Sequence, residues 1–194
     1  MKKFRLFLLA GIIAFFTGCS KDSAEPDSGG SGGNEPTPTY QIGDYYNRNG
    51  VKGVVFKITD GGKHGLIISM DEAHRCQWST ETVEIGANDS YDGSANTALV
   101  VSTCVLEKYP AFKWCLDKNV NGVTGWYLPA YFEFSNIKLV MGVINETIAN
   151  NGGTVISNAS YWTSTEDGQF RACAHPTTDN QKDDYFRVRA ARAF

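Results

Sequence analysis

The segment from Tyr161 to Asp184 holds the densest set of residues able to recognise a ligand. Tyr161 and Trp162 offer aromatic planes for C–H contact, and Gln169, Arg171, His175, Asp179 and Asn180 offer amides and charges that match sugar hydroxyls. Catalytic chemistry has no comparable concentration. Residues 40–194 contain no GxSxG elbow, no HExxH pair, no GxxxxGK(S/T) loop and no GxGxxG turn. His64 falls in a turn signal, His74 follows a strand signal and His175 precedes Pro176, so all three read as exposed loop residues rather than general bases. Asp179, Asp183 and Asp184 are hard oxygen donors close in sequence, and they read as solvated acids. A non-enzymatic ligand binder with no metal and no cofactor is the expectation.

The whole chain has 194 residues, 18 Lys plus Arg against 21 Asp plus Glu, and 42% hydrophobic residues, which suits one globular domain. Its first residues are not part of that domain. Lys2, Lys3 and Arg5 precede an apolar run from Leu6 to Phe16, and Thr17-Gly18 forms a small-residue exit before Cys19. This is a secretory signal, and the eleven-residue run is short of the roughly 17–25 residues a spanning helix needs. Phe16-Thr17-Gly18-Cys19 resembles the bacterial lipobox, so Cys19 is expected to be lipidated and to tether the chain to the outer membrane, each buried CH2 contributing about 0.8 kcal/mol.

From Cys19 to Thr39 the chain is rich in Gly, Ser, Pro and acids and has too few apolar side chains to fold, which makes it a spacer. Lys21-Asp22 looks like the acidic export tag of surface lipoproteins in the Bacteroidetes, and Asp22-Ser23-Ala24 like an O-glycosylation acceptor of that phylum. The expected organisation is therefore a signal peptide at 1–18, a lipidated tether at 19–39 and a domain at 40–194, on an outer membrane lipoprotein at the cell surface. The domain alone carries 14 bases against 17 acids and no basic run, which argues against nucleic acid as a partner. Cys76, Cys104, Cys115 and Cys173 then face an oxidising compartment, where three disulfide pairings are open alongside buried thiols.

Within the domain, Gly53–Ile58 and Gly65–Met70 are β-rich runs joined by Thr59–His64, whose Asp-Gly-Gly supplies positive-φ residues for a hairpin turn. Asp92 or Ser94 caps a helix with apolar Ala95, Leu99 and Val100 continuing toward Val105 and Leu106, and a short helix starts at Pro110 and runs through Cys115. Phe134, Ile137, Met141, Ile144 and Ile148 predict one helix over 131–149, closed by Asn150-Asn151-Gly152-Gly153. Three further strand signals follow: Thr154–Ile156 leading into Tyr161-Trp162, Phe170–Ala174, and Tyr185–Phe194. In the last, Phe186, Val188, Ala190 and Arg192 share one face, and Arg187, Arg189, Ala191 and Ala193 the other. The class is α+β, with helices packed on a small antiparallel sheet.

Six segments stand out in order: Gly53-Val-Val-Phe56, His64-Gly-Leu-Ile-Ile-Ser-Met-Asp-Glu72, Cys76-Gln-Trp-Ser-Thr80, Gly125-Trp-Tyr-Leu-Pro129, Tyr161-Trp-Thr-Ser-Thr-Glu166 and Val188-Arg-Ala-Ala-Arg-Ala-Phe194. Together they resemble the DUF1566 family, which includes the C-terminal domain of the Legionella collagen-like adhesin and is related to C-type-lectin-like folds. The resemblance implies a C-type-lectin-like core with two or three helices in which the first and last strands pair, and binding loops on the side away from the tether. It also implies adhesion to an extracellular glycan or protein, with a homo-oligomer or a structural subunit of a surface or fimbrial assembly as the alternative. The Glu-Pro-Asn, Gln-Pro-Asp and Trp-Asn-Asp sets by which C-type lectins hold calcium are absent from the domain. Cys104 and Cys115 are the near cysteine pair, without the active-site loop of the formylglycine-generating oxidases on a related fold. One departure is Ala130, where the family has a helix-capping Ser, in Leu128-Pro-Ala-Tyr-Phe-Glu-Phe134.

Overall fold

The computed structural model describes residues 38–194; the signal peptide, Cys19 and most of the tether lie outside them. The described chain is mixed α+β, with four α-helices and two five-stranded sheets rather than one small sheet. The first sheet has the order β1 (Tyr45–Arg48), β2 (Val51–Thr59), β3 (His64–Ser69), β10 (Ala191–Ala193), β5 (Trp126–Tyr127). The second has the order β4 (Ala73–Cys76), β9 (Phe186–Val188), β6 (Tyr161–Glu166), β7 (Arg171–His175), β8 (Thr177–Gln181). All pairings are antiparallel except β6 with β9, which is parallel.

The β2–β3 hairpin forms as its sequence dictates, and Asp60, Gly61 and Gly62 take positive φ in the turn. Val54, Val55 and Phe56, like Ile67 and Ile68, read as unbroken apolar runs because both faces of these strands are covered. On one face Val55 and Ile67 meet α1 (Gly93–Thr103), α2 (Pro110–Leu116) and the second sheet. On the other, Val54, Phe56 and Ile68 meet α3 (Tyr131–Leu139) and α4 (Met141–Asn150).

Asp92, not Ser94, caps α1, its Oδ1 accepting from the Ala95 amide at 2.9 Å. The buried face of α1 is Gly93, Asn96, Thr97 and Val100, so the apolar residues at Ala95 and Leu99 do not define it. The helix predicted over 131–149 is two helices broken at Val140 (φ −110°, ψ 17°). The two halves rest on different surfaces: α3 packs on β6 and β7 as well as β2, whereas α4 packs on β2. Phe134, Ile137, Ile144 and Ile148 are all buried nonetheless, with Met141 half-buried beside them. At the end of α4, the Gly153 amide donates to Ile148 and the Gly152 amide to Ala149, with Gly152 at φ 71°, the closure expected of that Asn-Asn-Gly-Gly run.

Thr154–Ile156 is not a strand, because its backbone is bound elsewhere. The Thr154 amide donates to Met70 O, and the Asn145 side chain donates to Ile156 O and accepts from its amide. The last run, predicted as one strand, is β9 and β10 in different sheets, so no single alternation governs it. Arg189, between them, is fully buried. The first and last strands do not pair, since β2 and β3 separate β1 from β10. The ends of the domain meet instead through side chains, with Phe194 against Tyr40 and Tyr46 at ring-centroid distances of 5.1 Å.

One cluster fastens the two sheets. The chain first leaves the first sheet at Ser69, entering the second at Ala73, and makes its last return through Arg189-Ala190. The Glu72 and Arg189 side chains are both fully buried between these crossings, 3.1 Å apart, and Glu72 also accepts from Arg187 and from the Tyr161 hydroxyl (2.7 Å). Arg189 donates further to Ser69 O at 2.7 Å and to Thr154 O, while the Ser69 and Ala190 backbones bond each other. Removing one partner leaves a buried charge incompletely matched. Arg189→Met is expected to lower unfolding free energy by about 3 kcal/mol in urea titration, and Glu72→Gln combined with Arg189→Met to lower it by less than Arg189→Met alone. A double variant weaker than the single one would contradict this assignment.

Candidate functional site

The residues picked out between Tyr161 and Asn180 come together on β6, β7, β8 and the turn after β6, but they do not form a concave face. Tyr161 and Trp162 have no exposed surface. Tyr161 stacks on Phe134 at 4.9 Å and Trp162 meets Phe186 edge-on at 4.7 Å, while the Trp162 Nε1 donates to Cys76 O. Neither ring offers a plane to a ligand.

The polar members bind their neighbours. Gln169 donates to Thr82 O, Arg171 pairs with Asp179 at 3.3 Å, and Asn180 donates to Ala172 O and accepts from the Thr177 hydroxyl. Residues 177–181, expected as loop, are the edge strand β8. His175 packs between Tyr131 and Phe134 with Nδ1 buried and without a hydrogen-bond partner; burial, reinforced by Lys138, lowers its pKa and keeps it neutral. Asp184 accepts from the Gln181 amide, and among the described residues no three His, Cys, Asp or Glu converge as a metal set. Cys76, Cys104, Cys115 and Cys173 are all unpaired thiols. Burial pushes Cys76 and Cys115 up and Cys173 to about 11, far from the reactive range.

The second sheet explains why the Tyr161–Glu166 run is so polar yet fully buried. Its side chains fasten the irregular stretch between β4 and α1. Thr165 Oγ1 donates to Asp89 O, and Ser164 Oγ accepts from Asn96 Nδ2. Glu166 accepts from the amides of Ile85, Gly86 and Ala87 and pairs with the buried Lys182, which in turn donates to Val83 O. Glu166, Lys182, Ser164 and Thr165 are themselves buried, and their role here is structural.

A cleft of about 530 Å³ lies elsewhere, within the range of small-ligand sites. Lys57 and Thr59 from the end of β2 and His64 from the start of β3 form one wall. Tyr91, Asp92 and Ser94 at the start of α1 form the other, with Tyr127, Glu133 and Phe194 among the remaining lining. Since Phe194 packs on Tyr40, the cleft sits at the end where the chain enters the domain, not on the far side that the resemblance implied.

Among the described residues, the side chains of Lys57, Thr59, His64, Tyr91 and Ser94 make no hydrogen bond or ion pair, and Asp92 uses only Oδ1. Tyr91 is 71% exposed, and one face of its ring stacks on Phe132 (4.6 Å, 20°), itself 42% exposed. Tyr91, and not Phe132, lines the cleft, and the ring face of Tyr91 away from Phe132 has no aromatic partner. The arrangement joins free donors and acceptors with an open aromatic plane, the parts that the β6–β8 region was expected to supply.

Both aromatics are positioned from below. Asp89 Oδ1 accepts from the Tyr91 and Asp92 amides, and Asn96 holds Asp89 through two hydrogen bonds. The missing Ser cap at Ala130 is replaced from other elements: the Tyr131 amide donates to Thr165 Oγ1 and the Phe132 amide to Ser90 O. Glu133 then ties the two helix starts together. Its Oε2 accepts from the amides of Ala130 (2.8 Å) and Gly93 (3.1 Å), and its Oε1 from the Tyr127 hydroxyl (2.8 Å). This approach needs glycine at position 93, where a Cβ would stand 2.4 Å from Leu128 O.

Tyr91 and Phe132 were missed because neither falls on a core periodicity. That was also the available signal: Tyr91 stands in the polar, turn-forming run Asn88-Asp-Ser-Tyr-Asp92, and Phe132 lies off the Phe134–Ile137 face of its helix.

Burial raises the Glu133 carboxyl pKa, outweighing the hydrogen bonds from Ala130, Tyr127 and Gly93 that lower it. A carboxyl whose folded pKa lies above its unfolded value contributes most at low pH, and that contribution is lost as pH rises through the folded pKa. In Glu133→Gln the amide oxygen can keep both backbone hydrogen bonds and the NH2 can face Tyr127. The melting temperature of Glu133→Gln relative to the native chain is therefore expected to rise steadily from about pH 4 to pH 7. A difference that falls across that range would mean that the hydrogen bonds, not desolvation, set the balance, and a constant one that the two cancel.

No protein-family model and no curated protein matches the chain.

Proposed function

We propose that this chain is a non-enzymatic, lipid-anchored domain on the surface of a Bacteroidetes-type cell that binds an extracellular ligand, glycan or protein, in the manner of an adhesin. The observation that carries the reading is the cleft between the β2–β3 hairpin and the start of α1, where unpartnered polar groups surround an open aromatic plane. In support stand the secretory signal, the lipobox at Cys19 and the spacer composition. A C-type-lectin-like arrangement of the DUF1566 kind belongs to the same proposal. Helices packed on β-sheets and domain ends that meet at Tyr40 and Phe194 support it.

Acyl groups on Cys19 in the processed chain, together with loss of the domain when intact cells are shaved with protease, are the expected results. A processed chain without acyl groups, or a domain protected on intact cells, would falsify the surface assignment.

A second reading, a structural subunit that contacts its own kind, has one observation in its favour. Leu139 is 83% exposed and borders one shallow hollow with Ile42 and Ile58, an apolar strip at the end of α3. Light scattering across a hundredfold range of concentration separates the readings: a monomer throughout supports the binding domain, and concentration-dependent assembly abolished by Leu139→Glu supports the subunit.

A further inference from the structure

The chemistry of the same cleft narrows its ligand. We infer that it is a saccharide subsite for an uncharged pyranose, with the sugar's C–H face on the open side of Tyr91 and its hydroxyls between the β2–β3 wall and the start of α1. This rests on the binding reading above and specifies the class of ligand.

Three observations carry it. First, Tyr91 is an aromatic plane backed by a second ring, Phe132, and fixed at its backbone by Asp89, so little conformational freedom is lost when a flat apolar face settles on it. Second, the free groups are of both kinds. Lys57 donates only, Asp92 Oδ2 accepts only, and the Thr59 and Ser94 hydroxyls do either. A sugar hydroxyl, at once donor and acceptor, suits such a mixed set, whereas a hydrocarbon would leave every one of these groups stripped of water and unpaired.

Third, the charges balance. Lys57 faces a cleft that also holds Asp92 and the fully engaged Glu133, with His64 the other basic group. A phosphate or a polyanionic glycan would meet no excess of positive charge there. Glu133 is a positioning residue in this scheme, since its oxygens are occupied by Ala130, Gly93 and Tyr127.

The test is calorimetric titration of the processed chain, in a detergent free of sugar headgroups, with neutral cello-, malto-, manno-, xylo- and chito-oligosaccharides at up to about 5 mM, a range that reaches weak single-subsite affinities. At least one series is expected to bind, and Tyr91→Ala to weaken it about tenfold or more, as loss of an aromatic anchor does. Lys57→Met is expected to weaken it as well, and Gln169→Ala to leave it unchanged. Because Tyr91 is largely exposed, the melting temperature of Tyr91→Ala should stay within a degree or so of the native value, which separates lost contact from lost fold.

No binding by any neutral series, binding of uronate oligomers alone, or saccharide binding indifferent to Tyr91→Ala would each overturn the subsite. Capture of an extracellular protein unaffected by Tyr91→Ala would overturn it too, yet leave the broader binding reading standing. Saccharide binding lost in Tyr91→Ala by a chain that shaving leaves protected would keep the subsite and remove the surface location.

Discussion

A carboxylate with no exposed surface, Glu72, sits where the chain passes from one sheet to the other, and the architecture depends on how its charge is met. The chain passes between its two sheets four times, after β3, β4, β5 and β9, and each crossing strips backbone groups of regular ladder partners. Arg189 serves the first and the last of these, reaching Glu72 on one and the carbonyls of Ser69 and Thr154 around it. An apolar pair in this place could fill the volume but could not satisfy those carbonyls, so the cost of burying charge here is offset by backbone hydrogen bonds that nothing else supplies. The guanidinium fork suits the task because its donors leave in fixed, divergent directions.

The same device, a buried acid collecting donors from separate elements, recurs at Glu166 and at Glu133. Glu166 stiffens the irregular stretch before α1 from beneath, and Glu133 locks the starts of α1 and α3 against each other. The consequence for the cleft is rigidity in its rim. Tyr91 and Phe132 belong to different elements, and their stacking depends on contacts made several residues away from either ring. A binding surface can thus be largely exposed and yet well ordered, because its order comes from buried polar groups behind it.

Local signals in the chain were legible wherever local physics decides the outcome. The Asp-Gly-Gly turn, the Asp92 cap, Pro110 opening a helix and the glycines after Asn151 each act within a few residues, and each does what its chemistry requires. Long-range choices were not legible. Alternation placed Arg189 on a strand face, but the chain changes sheets there, and nothing in residues 185–194 records the change. Periodicity predicted one helix over 131–149, but it breaks at Val140, and the two halves rest on different surfaces. The aromatics Tyr161 and Trp162 looked suited to a ligand because aromatic planes serve cores and binding faces equally. Tyr91 did not stand out, since exposure rather than residue type sets it apart.

Strand β10 lies between β3 and β5, and β9 between β4 and β6, so each sheet is completed from within by residues 186–193. Contacts such as Glu72 with Arg187 and Arg189 span more than a hundred positions of chain, and closing so large a loop comes late and slowly. For a polypeptide that emerges N-terminus first, this order keeps the molecule open until residues 186–193 are within reach. Both layers can then zip shut around that stretch together.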